Sequence, residues 1–209
     1  MKLIIFGATG LVGKQLVQQA LFNKHHVKAF GRNVFTTDYL ETENLELVQG
    51  ALFDEGEVFN AIKGCDAVIS AIGGSMDGTD KTRTLGMKNI IRQMQKAGVK
   101  RIIGIGGLGV LNADESSLLV DKEDYPLEYK AVGLEHKKAY ELLNESGLDW
   151  TFVCPPNIIQ EGPTGHYTTK ADYPPEQNNY KINAGDLAMF MLNELGKNEY
   201  VKHRVGISN

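Results

Sequence analysis

Three glycines near the N-terminus carry the first chemical signal. Gly7, Gly10 and Gly13 stand three apart in Gly7-Ala-Thr-Gly10-Leu-Val-Gly13, after the apolar run Lys2-Leu-Ile-Ile-Phe6 and before a helical pattern. A turn from buried strand to helix suits an anion, because the first N–H groups of a helix lack internal partners and the helix dipole is positive there. Gly7 is expected to make the tight turn, Gly10 to let the backbone approach a phosphate, and Gly13 to let helix and strand pack closely. The spacing is G-x-x-G-x-x-G, not the G-x-G-x-x-G of the standard dinucleotide fingerprint, so the placement between strand and helix carries the argument. A second signal ends the next strand, His26-Val-Lys-Ala-Phe30. No Asp or Glu occurs from His25 to Thr37, and Gly31-Arg32-Asn33 follows the strand. In a dinucleotide fold an acidic residue here binds the 2′-hydroxyl of NAD, whereas Arg grips the 2′-phosphate of NADP. Arg32 therefore predicts NADP(H) as cofactor.

Other chemistries find little support. Cys65 and Cys154 lie far apart in apolar runs and read as buried free thiols of a cytoplasmic protein. There is no C-x-x-C or H-x-x-x-H, so no metal site is expected, and His25-His26 read as solvated turn residues. A net charge of -4 disfavours a nucleic-acid partner. No apolar run reaches membrane-spanning length, and the N-terminus begins in a strand without a charged-then-apolar leader.

The elements that must position these residues alternate. The chain has 209 residues, 42% hydrophobic and 23% charged, which suits one domain over 1–209 with a real core. Leu11 to Asn23 reads as a helix with Val12, Leu16, Val17, Ala20 and Leu21 on one side. Leu45-Glu-Leu-Val48 is a third strand, and Leu52 after it is placed to lie against adenine or in the core. Glu55 to Lys63 is a helix stopped by Gly64. Cys65 to Ile72 is a fourth, nearly all-apolar strand, running into Gly73-Gly74 and a polar, mobile loop from Ser75 to Lys81. A helix over Thr82 to Ala97 turns Met87, Ile90, Ile91 and Met94 inward. Val99 to Ile105 is the fifth strand, entering Gly106-Gly107-Leu108-Gly109. After an irregular stretch, Leu111 to Pro126, come a helix over Leu127 to Glu145 and a sixth strand, Leu148 to Cys154. Tyr167 to Tyr180 is turn-rich and fits a small hairpin. A helix over Ala184 to Leu195 and a seventh strand near Arg204 to Ile207 close the chain. The pattern predicts a doubly wound parallel α/β sheet, a Rossmann fold, with ligand at the carboxyl ends of the strands.

Several short stretches, in order, resemble one family. These are Glu145-Ser-Gly-Leu148, Val153-Cys-Pro-Pro156, Thr164-Gly-His-Tyr167, Asp186-Leu-Ala-Met-Phe-Met-Leu192 and Asn198-Glu-Tyr200. With the glycine loop they resemble the atypical short-chain dehydrogenase/reductases, the group with NAD(P)-binding and NmrA-like members, and within it the biliverdin-reductase-like NADPH-dependent flavin reductases. The resemblance implies a phosphate loop of Gly7, Thr9, Gly10, Leu11 and Val12, with Gly13 behind it, and Arg32 at the 2′-phosphate. It implies Leu52, Ile72 and Gly73 beside adenine and ribose, and Ile105, Gly106, His136, Pro155, Pro156 and Ile158 on the nicotinamide side. His136 falls near a ribose-contacting Lys of related enzymes; its alternative is an exposed helix histidine beside Lys137 and Lys138. Gly107, Leu108, Asn157 and Tyr167 are the implied substrate-side residues.

Departures from the family limit the chemistry. The family's Gly-Asp-Val after strand three is here Gly50-Ala51-Leu52. Its Ser after strand five falls on Gly107, and its His after the double proline falls on Asn157. The Tyr-x-x-x-Lys of the wider family is absent, since none of the eight tyrosines has Lys four residues on. No catalytic acid is identified, and a carbonyl reaction needs one for about two to four orders of magnitude in rate. Flavin reduction asks mainly for stacking at the right distance, so the expected acceptor is a flavin, quinone or similar conjugated molecule. Gly107 is expected to enlarge the pocket, with Leu108, Val110 and Pro163 to Tyr167 as walls. The alternative function is a redox sensor of NmrA-like type that binds NADP without turnover. The sequence leaves the oligomeric state open.

Overall fold

Four consecutive apolar residues, Leu3 to Phe6, are each fully buried, because their strand is covered on both faces. This strand, β1 (Lys2–Phe6), turns Leu3 and Ile5 into one core layer and Ile4 and Phe6 into the other. The computed structural model describes residues 1–209. Around β1 are α1 (Leu11–Phe22), β2 (His26–Gly31), β3 (Leu45–Gln49), α2 (Glu55–Ile62), β4 (Ala67–Ser70), α3 (Thr82–Ala97) and β5 (Arg101–Ile105). The chain continues through α4 (Leu127–Asn144), β6 (Asp149–Cys154), β7 (Asn157–Ile159), β8 (Thr168–Ala171), β9 (Lys181–Asn183), α5 (Ala184–Lys197) and β10 (His203–Ser208).

Eight strands form the main sheet in the order β3-β2-β1-β4-β5-β6-β10-β8, parallel throughout except for β8 against β10. Phe6 at the end of β1 lies opposite Phe30 of β2 and Ser70 of β4. The order reverses between β1 and β4, which opens a crevice beyond their carboxyl ends. One face is covered by α1 and α5, whose Leu16, Val17, Leu187 and Met191 are fully buried. The other is covered by α2, α3 and α4 through Val58, Ile62, Ile90, Met94 and Leu143. This is the predicted doubly wound Rossmann sheet in a single α/β domain.

Three local expectations are corrected. Tyr167 to Tyr180 is not a hairpin: β8 joins the edge of the main sheet beside β10, whereas β9 pairs in parallel with β7. Asp186 at the start of α5 enforces this path. It accepts hydrogen bonds from Thr164 N (2.7 Å), Gly165 N (2.8 Å), Thr164 Oγ1 (2.8 Å) and Asn209 Nδ2 (2.8 Å). The loop from Ser75 to Lys81 is tied down, not free: Asp80 accepts from Ser75 N (2.8 Å), and Arg83 donates to Ser75 O (2.9 Å) and Gly74 O (3.0 Å). The stretch from Leu111 to Pro126 contains a helical turn, Leu119–Asp121, and an isolated bridge between Asn112 and Leu118.

Candidate functional site

The cleft at the carboxyl ends of β1, β4, β5 and β6 begins with the glycine loop. Gly7 has φ +78°, and a Cβ there would stand 2.3 Å from Ala71 O. A Cβ on Gly13 would stand 2.0 Å from Gly7 O and 2.8 Å from Ala8 Cα, so only glycine lets α1 start this close to β1. Gly10 caps α1 without a side-chain hydrogen bond. The N–H groups of Leu11, Val12 and Gly13 therefore have no partner within the chain. The loop is a cradle of unpaired donors at a helix N-terminus, and Gly73 across from it faces open space. These features fit a pyrophosphate.

The cleft holds about 710 Å³. Of the residues singled out in the sequence, Gly10, Leu11, Val12, Ile72 and Gly73 line it around the glycine loop and the end of β4. Ile105, Gly106, Gly107, Leu108 and His136 also line it, as do Pro155, Pro156, Asn157 and Ile158. Hydrogen bonds from Gly106 N to Val153 O (2.7 Å) and from Leu108 N to Pro155 O (3.1 Å) join the loops after β5 and β6. Thr9 lies beside the end of β2, since a Cβ on Gly31 would stand 3.2 Å from its Cγ2. Arg32 is exposed just beyond, and its guanidinium has no hydrogen bond or ion pair within the chain. Leu52 and Ile72 both press on Gly86 of α3; Ile72 lines the cleft, whereas Leu52 lies behind that lining.

Some expectations fail here. Tyr167 is not in the cleft: it packs edge-on to Phe190 of α5, with ring centroids 6.0 Å apart. The stretch from Pro163 to Tyr167 follows it to that side, held by Asp186. Val110 is fully buried and forms no wall. The far wall comes instead from Met76, Tyr125, Tyr129, Pro174 and Tyr180. Gly107 does not enlarge the pocket, because a Cβ there would stand 2.8 Å from His136 Cδ2: the imidazole fills that space. His136 is therefore not an exposed helix histidine. Burial, with the Arg83 charge second, pushes its pKa down to about 3, so the ring is neutral at physiological pH.

Two contributions escaped the sequence. Arg83, nine-tenths buried on α3, is the one charged side chain of the cleft lining. Nothing in its spacing marks it. Tyr125 and Tyr129 flank the start of α4, and their proximity to Pro126 in a polar stretch was the available signal. No group of three or more metal-ligating side chains occurs.

A doubly wound sheet with a donor cradle at its switch point defines a dinucleotide-binding protein. The chain belongs to the NAD(P)H-binding family, whose model matches residues 7–198. A Burkholderia pseudomallei structure, provisionally named an exported protein, is 33% identical, with a TM-score of 0.85 and 100% of each chain covered. A Streptococcus pneumoniae structure, provisionally named an NADH-flavin reductase, is 28% identical, with a TM-score of 0.85, over 100% of this chain and 99% of that one. The uncharacterised sugar epimerase YhfK of Bacillus subtilis is 29% identical over 180 residues, covering 82% of this chain and 79% of its own.

Proposed function

We propose that this protein is an NADPH-dependent reductase of flavins, or of similar conjugated acceptors such as quinones, with no tightly bound flavin of its own. One observation carries it: beyond the phosphate cradle the cleft continues into a chamber walled by Met76, Tyr125, Tyr129, Pro174 and Tyr180. Such walls suit a planar conjugated ring, through stacking and apolar contact. The donor set agrees. The open N–H groups of residues 11 to 13 hold the pyrophosphate, Arg32 holds the 2′-phosphate, and Leu52 and Ile72 flank the adenine. Gly106, Pro155, Pro156 and Ile158 bound the nicotinamide. When bound, NADPH supplies hydride. The protein's part is to align the acceptor and exclude water, and the absence of Tyr-x-x-x-Lys suits an acceptor that needs no protein acid. We place it in the cytoplasm as one domain over 1–209; no helix is long and apolar enough to cross a membrane.

The test is loss of NADPH absorbance with FMN, FAD, riboflavin and quinones, with NADH in parallel. Oxidation of NADPH in preference to NADH supports the proposal. Tight NADPH binding with no oxidation across the panel overturns it in favour of an NmrA-like redox sensor.

A further inference from the structure

Gly107 and His136 share one space. A Cβ at position 107 would stand 2.8 Å from His136 Cδ2, 3.2 Å from Nε2 and 3.3 Å from Cγ. The imidazole edge thus rests on the bare backbone of the loop after β5, within the cleft that both residues line. Any side chain at 107 would have to displace the ring. In return, the ring puts a polar nitrogen where a longer residue at 107 would have reached.

The two nitrogens differ. His136 Nδ1 is buried with no hydrogen-bond partner, whereas Nε2 is open to the cleft on the Gly107 side. A neutral imidazole carries one proton. Buried N–H groups without an acceptor are rarer than buried acceptors without a donor, which favours the proton on Nε2. The neighbouring Arg83 charge works against a second proton. The ring is thus a neutral donor on α4, seated against the backbone of Gly107.

We propose that His136 Nε2–H donates the hydrogen bond to the acceptor's carbonyl oxygen as negative charge builds on it, and that Gly107 exists to admit this ring. The inference rests on the reductase reading above. The acceptor gains a hydride, supplied by the dihydronicotinamide, and then a proton from water. His136 keeps its own proton, because neutral imidazole is too weak an acid to release it. The substrate class narrows accordingly, to planar acceptors with a carbonyl conjugated to the reducible centre.

The experiment combines ¹⁵N-histidine NMR, binding and kinetics. In the spectrum, with the His136 signals assigned through His136→Gln, the ring is expected as the Nε2–H tautomer, unprotonated from pH 8 to pH 5. Adding FMN to the NADP⁺-loaded protein should shift Nε2 more than Nδ1. His136→Phe should lower kcat with FMN by about a hundredfold, with the Kd for NADPH changed less than twofold. His136→Gln, which keeps an N–H donor, should recover at least a third of the lost factor on a logarithmic scale. Gly107→Ala should lower Tm by about 4 °C or more in the wild type, by overpacking, and have no such effect beside His136→Ala. A ring unmoved by FMN overturns the proposal. So does a His136→Phe variant whose loss is a weaker Kd for NADPH at unchanged kcat, which makes the ring a cofactor contact only. If no acceptor oxidises NADPH, the reductase reading fails by itself, and the FMN-induced shift still decides whether His136 touches the ring.

Discussion

Removing one exposed side chain should split the two nicotinamide cofactors. Arg32 follows β2 directly, beside Thr9 of the glycine loop, and its guanidinium has no partner in the chain. Its main-chain carbonyl, which accepts from Gln49 Nε2 at 2.9 Å, is retained in Arg32→Ala. Stability should therefore stay within about 0.5 kcal/mol, a Tm change of about 1–2 °C. Binding is another matter. A bidentate guanidinium–phosphate contact consists of charge-assisted hydrogen bonds worth about 1.5–3 kcal/mol, and solvent screening at this exposed site favours the lower end. A loss of about 1.5–2 kcal/mol is a Kd for NADPH about 10–30-fold weaker. NADH has no 2′-phosphate and should bind the variant within twofold of the wild type. The assay is titration of cofactor fluorescence at 0.15 M salt, repeated at 0.5 M, where the wild-type advantage for NADPH should shrink. An equal loss for both cofactors, or no loss for either, would refute the assignment of Arg32 to the 2′-phosphate.

Four further outcomes follow from the same geometry. Gly13→Ala puts a Cβ 2.0 Å from Gly7 O, so the loop or α1 must shift; the cost should be about 3 kcal/mol or more, seen as a Tm lower by about 6–12 °C together with loss of cofactor binding. Asp186 is held below its ordinary carboxylate value: burial alone would raise it, but bonds from Gly165, Asn209 and Thr164 outweigh that. Its stabilisation is thus complete above the unfolded pKa near 4 and is lost as pH falls through the lower folded value. Asp186→Asn should be less stable than the wild type at pH 7 by about 2–4 kcal/mol in urea unfolding, with the gap closing below pH 4. Tyr129→Ala should raise KM for FMN about 2–10-fold by removing a chamber wall. Tyr167→Ala should leave that KM unchanged while lowering Tm, because its ring packs on Phe190; a raised KM would return Tyr167 to the substrate side.

The amino-acid sequence by itself determined the framework. Short runs such as Leu3-Ile-Ile-Phe6 and Ala67-Val-Ile-Ser70, alternating with helical patterns, suit strands buried on both faces of a parallel doubly wound sheet, which is what forms. The glycine cradle was legible for the same reason: Gly7 and Gly13 answer local demands, a positive φ and a close helix start, that neighbouring residues impose. The last parallel strand, near Arg204 to Ile207, was legible from its place after the last helix in the alternating pattern. What only the tertiary structure decided depends on contacts between distant segments. Asp186 reaches back to Thr164 and forward to Asn209, which swings Tyr167 away from the cleft and makes β8 an edge strand. Arg83 meets the carbonyls of Gly74 and Ser75 through the fold of a loop that reads as merely polar. The sharpest case is Gly107, which reads as a missing side chain and an enlarged pocket. Twenty-nine residues further on, His136 fills that volume, and no periodicity or spacing along the chain can show that a space left empty by one residue is occupied by another.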